Sequence, residues 1–79
     1  KPLAKASETA AFSLRMNRGI YFDEFESRTG YSLNQTWRSE LDGLVQRGWG
    51  ERMEQGFRLT REGFRFADAA GGELLKDEV

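Results

Sequence analysis

The chain has 79 residues, with twelve lysines and arginines, thirteen aspartates and glutamates, and a formal net charge of −1. Because it has no cysteine and no histidine, it supplies no disulfide, thiolate nucleophile, cysteine ligand for an iron–sulfur cluster, usual zinc site or imidazole base. A domain of this length buries only about 60 to 65 per cent of its unfolded surface, so a deep active-site cleft is not expected. No apolar run approaches the length of a membrane span.

The beginning of the sequence predicts a helix followed by a short strand. Small and apolar residues at helical spacing predict the helix from about Ala6 to Met16, and Gly19 is predicted to end it. Ile20 then predicts a short strand. Glu8 and Arg15 lie two turns apart, and we expect them to support the fold through a contact within the domain or toward a neighbouring one.

The next segment predicts a second helix and the cap of a third. Asp23 and Glu26 have the spacing of a capping box, and Gly30 is predicted to close the helix that they begin. Ser32 or Asn34 would cap the third helix. The residues between Gly30 and this cap leave a turn of the length that helix-turn-helix geometry needs.

The third helix is predicted from about Asn34 to Arg47. One apolar stripe supports it, formed by Leu33, Trp37, Leu41, Leu44 and Val45. Gly48 is predicted to end this helix in the left-handed conformation, and the preceding Arg47 suits the negative end of the helix dipole.

Beyond Gly48 the pattern changes to the alternation of a β-hairpin. Two short strands are predicted on either side of Gln55–Gly56, which would form the turn. Thr60 is predicted to cap a last helix, because its hydroxyl can accept hydrogen bonds from the free amides of the first turn. After Gly71–Gly72 this helix either continues or frays, since two glycines cost about 2 kcal/mol of helix propensity relative to alanine.

Together these elements predict a mainly α fold with a small antiparallel β-hairpin, winged-helix-like, with three to four helices plus a wing. Residues 8–70 would form the domain, residues 1–7 a flexible remnant of a linker, and residues 71–79 a C-terminal tail. Trp49 belongs either to the core or to an exposed interface. The predicted core consists of Leu14, Ile20, Phe22, Phe25, Leu33, Trp37, Leu41, Leu44, Val45, Trp49, Phe57, Leu59 and Phe64.

No residue is assigned a catalytic, cofactor-binding or metal-binding role. Four arginines near the wing and the last helix are candidates for contact with an anion such as a propionate or a phosphate, because guanidinium binds such groups in bidentate fashion. They are Arg52, Arg58, Arg61 and Arg65. The alternative, which we favour, is a solvated surface balanced by Glu51, Glu54 and Glu62.

The sequence also resembles a known family. The pattern E-x-x-x-F-x-L-R-M-x-x-G-I is carried by Glu8, Phe12, Leu14, Arg15, Met16, Gly19 and Ile20. Later matching positions are Phe25, Thr29–Gly30, Leu41, Leu44, Gly48, Phe57, Leu59–Thr60 and Gly63–Phe64. Over about residues 8 to 70, the chain thus resembles the C-terminal domain of the oxygen-independent coproporphyrinogen III oxidase family of radical SAM proteins, which includes the related haem chaperones.

This resemblance implies a non-catalytic accessory domain that caps the barrel of a larger oxidoreductase acting in porphyrin biosynthesis or haem handling. In such a parent protein, three cysteines of the preceding barrel hold a [4Fe-4S] cluster that cleaves S-adenosylmethionine to start radical chemistry. No cofactor is expected in this chain itself. The expected partners are the barrel of the same chain and porphyrin or haem, and the expected location is cytoplasmic.

The main alternative is a winged helix-turn-helix domain that binds DNA. Its third helix would bring four polar side chains to the base edges of the major groove, namely Asn34, Gln35, Arg38 and Gln46. That helix carries as many acidic as basic side chains, and phosphate neutralisation supplies most of the non-specific affinity for DNA. Nucleic acid is therefore not expected as a partner. A third hypothesis is a protein-interaction module unrelated to radical chemistry.

Overall fold

The structure is a computed structural model and describes residues 2–16 and 18–76. Its elements in chain order are α1 Pro2–Leu14, β1 Ile20–Tyr21, α2 Phe22–Thr29, α3 Leu33–Thr36, α4 Arg38–Gln46, β2 Gly50–Arg52, β3 Gly56–Leu59, α5 Arg61–Arg65 and α6 Ala67–Glu73. The strands form an antiparallel sheet in the order β1-β3-β2. This confirms the predicted class, which is mainly α with a small antiparallel hairpin.

Helix α1 begins at Pro2, earlier than the predicted start at Ala6. Proline suits the first turn of a helix, because the amide hydrogen that it lacks would have no helical partner there. The structure therefore has helix from Pro2 on, where the sequence predicts a flexible remnant over residues 1–7. Ala6 and Ser7 on this helix are buried, so the segment belongs to the folded domain.

Gly19 does not end α1, which stops at Leu14, and serves the sheet instead. Its φ is +76°, and a Cβ atom at this position would lie 2.4 Å from the carbonyl oxygen of Phe57. Glycine is needed there to bring the start of β1 against β3. The same applies to Gly56 in β3, where a Cβ atom would lie 2.3 Å from the carbonyl oxygen of Ile20.

The hairpin turn lies one residue earlier than predicted. The amide of Met53 donates to the carbonyl oxygen of Gly56 at 2.8 Å, which places these two residues opposite each other at the end of the ladder. The loop therefore consists of Glu54 and Gln55, and the prediction of Gln55–Gly56 is wrong. The physical reason is that Gly56 is required inside β3, at its contact with β1.

The predicted capping box of α2 is wrong, while the predicted closing glycine is confirmed. Strand β1 runs directly into α2, so Tyr21 is the N-cap residue and makes no side-chain capping bond, whereas Asp23 lies inside the first turn. Gly30 closes α2 with φ +82°, and its amide donates to the carbonyl oxygen of Glu26. Of the two residues predicted to cap the third helix, Ser32 is the N-cap of α3 and Asn34 is not.

The predicted third helix is divided at Trp37 into α3 and α4. Trp37 has φ −112° and ψ 26°, which is outside the helical range. Hydrogen bonds from its amide to Leu33 and from the amide of Leu41 to its carbonyl oxygen carry the chain across the break. Gly48 follows α4 with φ +78°, and Thr60 caps α5 by accepting from an amide at 3.0 Å, as predicted.

Trp37 lies at the centre of the core. Its indole is fully buried, and the rings of Phe25 and Tyr31 meet it edge-on at centroid distances of 5.5 and 6.4 Å. The indole Nε1–H donates to the carbonyl oxygen of Leu74 at 2.7 Å. This bond satisfies two polar groups that are removed from water and ties the end of the chain to α4.

Helix α6 continues through Gly71–Gly72 to Glu73. Of the two predicted outcomes, continuation and fraying, the described part of the tail therefore shows continuation. Residues 77–79 lie outside the described residues. Just after α6, Leu74 packs into the core and is fully buried, whereas the next residue, Leu75, is exposed.

The core differs from the prediction mainly where α1 packs on α6. Buried hydrophobic residues that the prediction missed are Ala6, Ala10, Ala70 and Leu74. Phe22, Trp49 and Phe64 are only half-buried. The prediction that Val45 belongs to the core is wrong, because this residue is 41% exposed. Adjacent helical residues point about 100° apart, so Leu44 occupies the inward position and Val45 does not.

The hydrogen bond of Trp37 predicts a specific loss of stability. Trp37→Phe keeps an aromatic ring but leaves the buried carbonyl of Leu74 without its donor and removes part of the ring volume. We expect the free energy of unfolding, measured by urea denaturation, to fall by about 3 kcal/mol. The control Val45→Ala should change it by less than about 0.5 kcal/mol. Equal losses in the two variants would contradict this account.

The ion pair between Lys76 and Glu40 makes stability depend on pH. Burial by itself raises the pKa of the Glu40 carboxyl, but the hydrogen bond from Lys76, a backbone hydrogen bond and the charge of Lys76 outweigh it and lower this pKa below its usual value of 4.5. A carboxyl whose pKa is lowered by folding stabilises the protein above its unfolded pKa. That contribution disappears as the pH falls through the folded pKa.

Glu40→Gln should therefore reduce the free energy of unfolding at pH 7 by up to about 1 kcal/mol, as expected for an ion pair near the surface. In urea titrations, the difference from the unmodified chain should shrink as the pH falls below 4.5 and through the lowered pKa of Glu40. Glu54→Gln is the matched control, because Glu54 is exposed and has no ion pair among the described residues. A difference for Glu40→Gln that persists unchanged at low pH would refute the assignment.

Candidate functional site

An apolar groove lies on the surface between α1 and α2. It has a volume of about 780 Å³ and is open to solvent. One side is a face of α1, and the other side is the segment from Arg18 to Arg28. The lining residues are Lys5, Glu8, Thr9, Phe12, Ser13, Met16, Arg18, Gly19, Ile20, Glu24, Phe25 and Arg28.

The groove exists because α1 has two apolar faces. One face, with Ala6, Ala10 and Leu14 at helical spacing, is buried in the core. The other face carries Phe12 and, just beyond the helix, Met16, which are 66% and 46% exposed. Neither side chain is needed to complete the core. Large apolar side chains left outside a core in this way commonly mark an interaction surface.

The rim of the groove is charged and only partly neutralised. Arg18 forms an ion pair with Glu24, and its guanidinium also lies 5.0 Å from the ring centroid of Tyr21. Among residues 2–16 and 18–76, Lys5 and Arg28 have no ion pair, and neither does the rim carboxylate Glu8. The rim therefore offers two unpaired cations and one unpaired carboxylate to an incoming partner.

The groove offers apolar contact and charged side chains to a binding partner. The described residues contain no group of three Asp, Glu, His or Cys side chains that could hold a metal ion. The chain has no cysteine, so it does not fit an iron–sulfur cluster, whose iron is bound by cysteine thiolates.

The structure does not gather the four arginines predicted as anion contacts. Arg52 on β2 is directly opposite Phe57, whereas Arg58 is the next residue of β3, so the two arginines point to opposite faces of the sheet. Arg61 and Arg65 begin and end α5.

Three of these arginines are engaged within the domain. Arg52 binds Asn34 and Asp42, Arg58 binds Glu51, and Arg65 lies 3.4 Å from Glu62. In the described part of the chain, Arg61 has no ion pair. Their role as anion contacts stays a prediction.

Glu8 and Arg15 do not form an ion pair with each other among the described residues. Arg15 supports the fold through an ion pair with Asp68 on α6, whereas Glu8 lies on the groove, and a contact of Glu8 toward a neighbouring domain stays a prediction. The four side chains of the DNA-binding alternative lie on α3 and α4, which do not form one continuous helix. Of these four, Asn34 accepts a hydrogen bond from Arg52.

The aromatic residues at the other end of the molecule are paired with each other. Trp49 and Phe66 stack at a centroid distance of 4.9 Å with an angle of 13° between their planes, and the guanidinium of Arg47 lies over Trp49 at 5.3 Å. Phe66 remains 42% exposed. Because this stack already covers part of each ring, the surface is less available than the groove.

Comparison with known proteins identifies the family. The model of the family described as HemN C-terminal domain matches residues 1–66, which is most of the chain, and the chain therefore belongs to this family. This confirms the resemblance to the C-terminal domain of coproporphyrinogen III oxidase-like radical SAM proteins and makes the chain an accessory domain of HemN-like proteins. The chain matches no curated protein and no solved structure. The winged-helix likeness stays a prediction.

The described helices include none with the length and apolar character that crossing a membrane would need.

Phe12 and Met16 carry part of the family resemblance, but they are not among the site residues predicted from the sequence. Their spacing of four residues, on the side of α1 away from Ala10 and Leu14, was the available signal. The rest of the groove had no local signal, because it forms only when α2 folds beside α1.

Proposed function

We propose that this chain is a non-catalytic accessory domain that packs on the catalytic barrel of a larger HemN-like protein. The observation that carries the proposal is the family match over residues 1–66. In the proposed arrangement the domain caps the barrel and helps to close its porphyrin site. The larger protein would be a cytoplasmic oxidoreductase or haem-handling protein of the coproporphyrinogen III oxidase type.

The proposed cofactors belong to the barrel and not to this domain. A [4Fe-4S] cluster bound by three cysteines and S-adenosylmethionine would supply the radical chemistry, and porphyrin or haem would be the ligand of the whole protein. The absence of cysteine from all 79 residues is consistent with this division, because the cluster ligands must then come from elsewhere.

Exposed apolar surface supports the packing role. Large apolar side chains that remain accessible in the described residues are Phe12, Met16, Tyr21, Val45, Phe66 and Leu75. A surface helix normally turns such residues inward, and a domain that packs on a second domain buries some of them on assembly. The family match and this surface together favour an interdomain contact over a freely tethered domain.

Hydroxyl-radical footprinting of the longer protein tests the proposal. The oxidation rates of the six exposed apolar side chains should be compared with their rates in the 79-residue chain. We expect at least one of them to be protected in the longer protein, because packing on a barrel removes it from solvent. Unchanged rates at all six positions would sink the proposal.

The reading frame upstream of Lys1 gives an independent check. It should encode a C-x-x-x-C-x-x-C motif a few hundred residues earlier, since the proposed barrel must bind the cluster. An upstream frame without such a motif would remove the radical SAM part of the proposal.

A further inference from the structure

We propose that the groove between α1 and α2 is the face that docks on the catalytic domain, and that its occupant is an apolar segment of that domain flanked by carboxylates. This inference rests on the proposed function, because it names the surface and the partner chemistry for the same interdomain contact. Three features of the groove carry it, namely its apolar floor, its charged rim and the exposed state of the side chains between them.

The floor of the groove is formed by side chains of the core. Ile20 and Phe25 are buried from within, at 3% exposure each, and also line the groove. Phe12 and Met16 stand above them and are largely exposed. An occupant with apolar side chains would therefore meet an apolar surface supplied mainly by Phe12 and Met16 and would remove both residues from water.

The charges on the rim of the groove indicate the charge that the occupant should carry. It contains three cations and two carboxylates, whereas the chain as a whole has a net charge of −1. Arg18 and Glu24 neutralise each other, which leaves Lys5, Arg28 and the carboxylate Glu8 without an ion pair among the described residues, so the rim presents a net positive charge to a partner. Carboxylates beside the apolar segment would pair with Lys5 and Arg28, and such complementarity orients one docking mode against others.

A second copy of the chain is a poorer occupant. In a symmetric dimer the same patch meets itself, so two rims that each carry three cations and two carboxylates, and hence a net positive charge, would face each other. Like charges opposed in this way disfavour association.

The test measures oxidation of Met16 in the longer protein, with charge-reversed variants. In the unmodified protein, Met16 and Phe12 should be protected relative to the 79-residue chain, whereas Val45, Phe66 and Leu75 should react at similar rates in both. The double variant Lys5→Glu/Arg28→Glu should lose this protection. The matched control is Arg38→Glu/Arg61→Glu, which reverses two other exposed cations that have no ion pair among the described residues. This control should keep the protection of Met16 and Phe12.

A second pair of variants keeps the test independent of charge reversal. Phe12→Ser removes the most exposed aromatic of the groove, and Phe66→Ser removes an exposed aromatic elsewhere. Both variants of the 79-residue chain should retain its helical circular dichroism, because neither side chain is buried. In the longer protein, only Phe12→Ser should restore the oxidation rate of Met16.

Each result separates this inference from the proposed function. Protection confined to Val45, Phe66 or Leu75 would overturn the groove and leave the accessory role intact, while protection nowhere would overturn both. Protection of Met16 that increases with protein concentration would assign the groove to a second copy and would also overturn the inference. Loss of protection in the control Arg38→Glu/Arg61→Glu would refute the part played by the rim charges.

Discussion

The hydrogen bond from the Trp37 indole to the carbonyl of Leu74 is the constraint on which the rest of the structure depends. It joins residues 37 positions apart, and either group would cost about 1 to 3 kcal/mol if it were buried without the other. The break between α3 and α4 and the end of α6 must therefore be placed together. With Leu74 fixed, α6 lies against α1 and covers its small buried residues Ala6 and Ala10.

The packing of α6 on α1 determines which residues of α1 remain outside the core. The core takes one face of the helix, and α2 closes beside the other without covering Phe12 and Met16. The result is an apolar surface with a partly unpaired basic rim, on a chain that belongs to the HemN C-terminal domain family. The proposed function and the proposed docking face follow from these two properties together.

Local signals made the order of the elements predictable, whereas long-range contacts decided the details. Gly30 and Gly48 close helices and Thr60 begins one, because each acts on its own turn of backbone. The break at Trp37 depends on a distant carbonyl, and no local pattern reports it. Gly63 is one of the positions that carry the family resemblance, but only the structure shows that a Cβ atom there would lie 1.9 Å from the backbone oxygen of Trp49. The groove was beyond prediction for the same reason, since α1 and α2 form it jointly.

Zero-length carbodiimide cross-linking of the longer protein, followed by mass spectrometry, tests the central claim most directly. The reagent joins an amine to a carboxylate that is already in contact with it, and Lys5 is the amine on the rim of the groove. The account predicts a cross-link from Lys5 to an aspartate or glutamate of the catalytic domain. It is contradicted if Lys5 links only within its own domain while Lys76, which pairs with Glu40 away from the groove, carries the links to the catalytic domain.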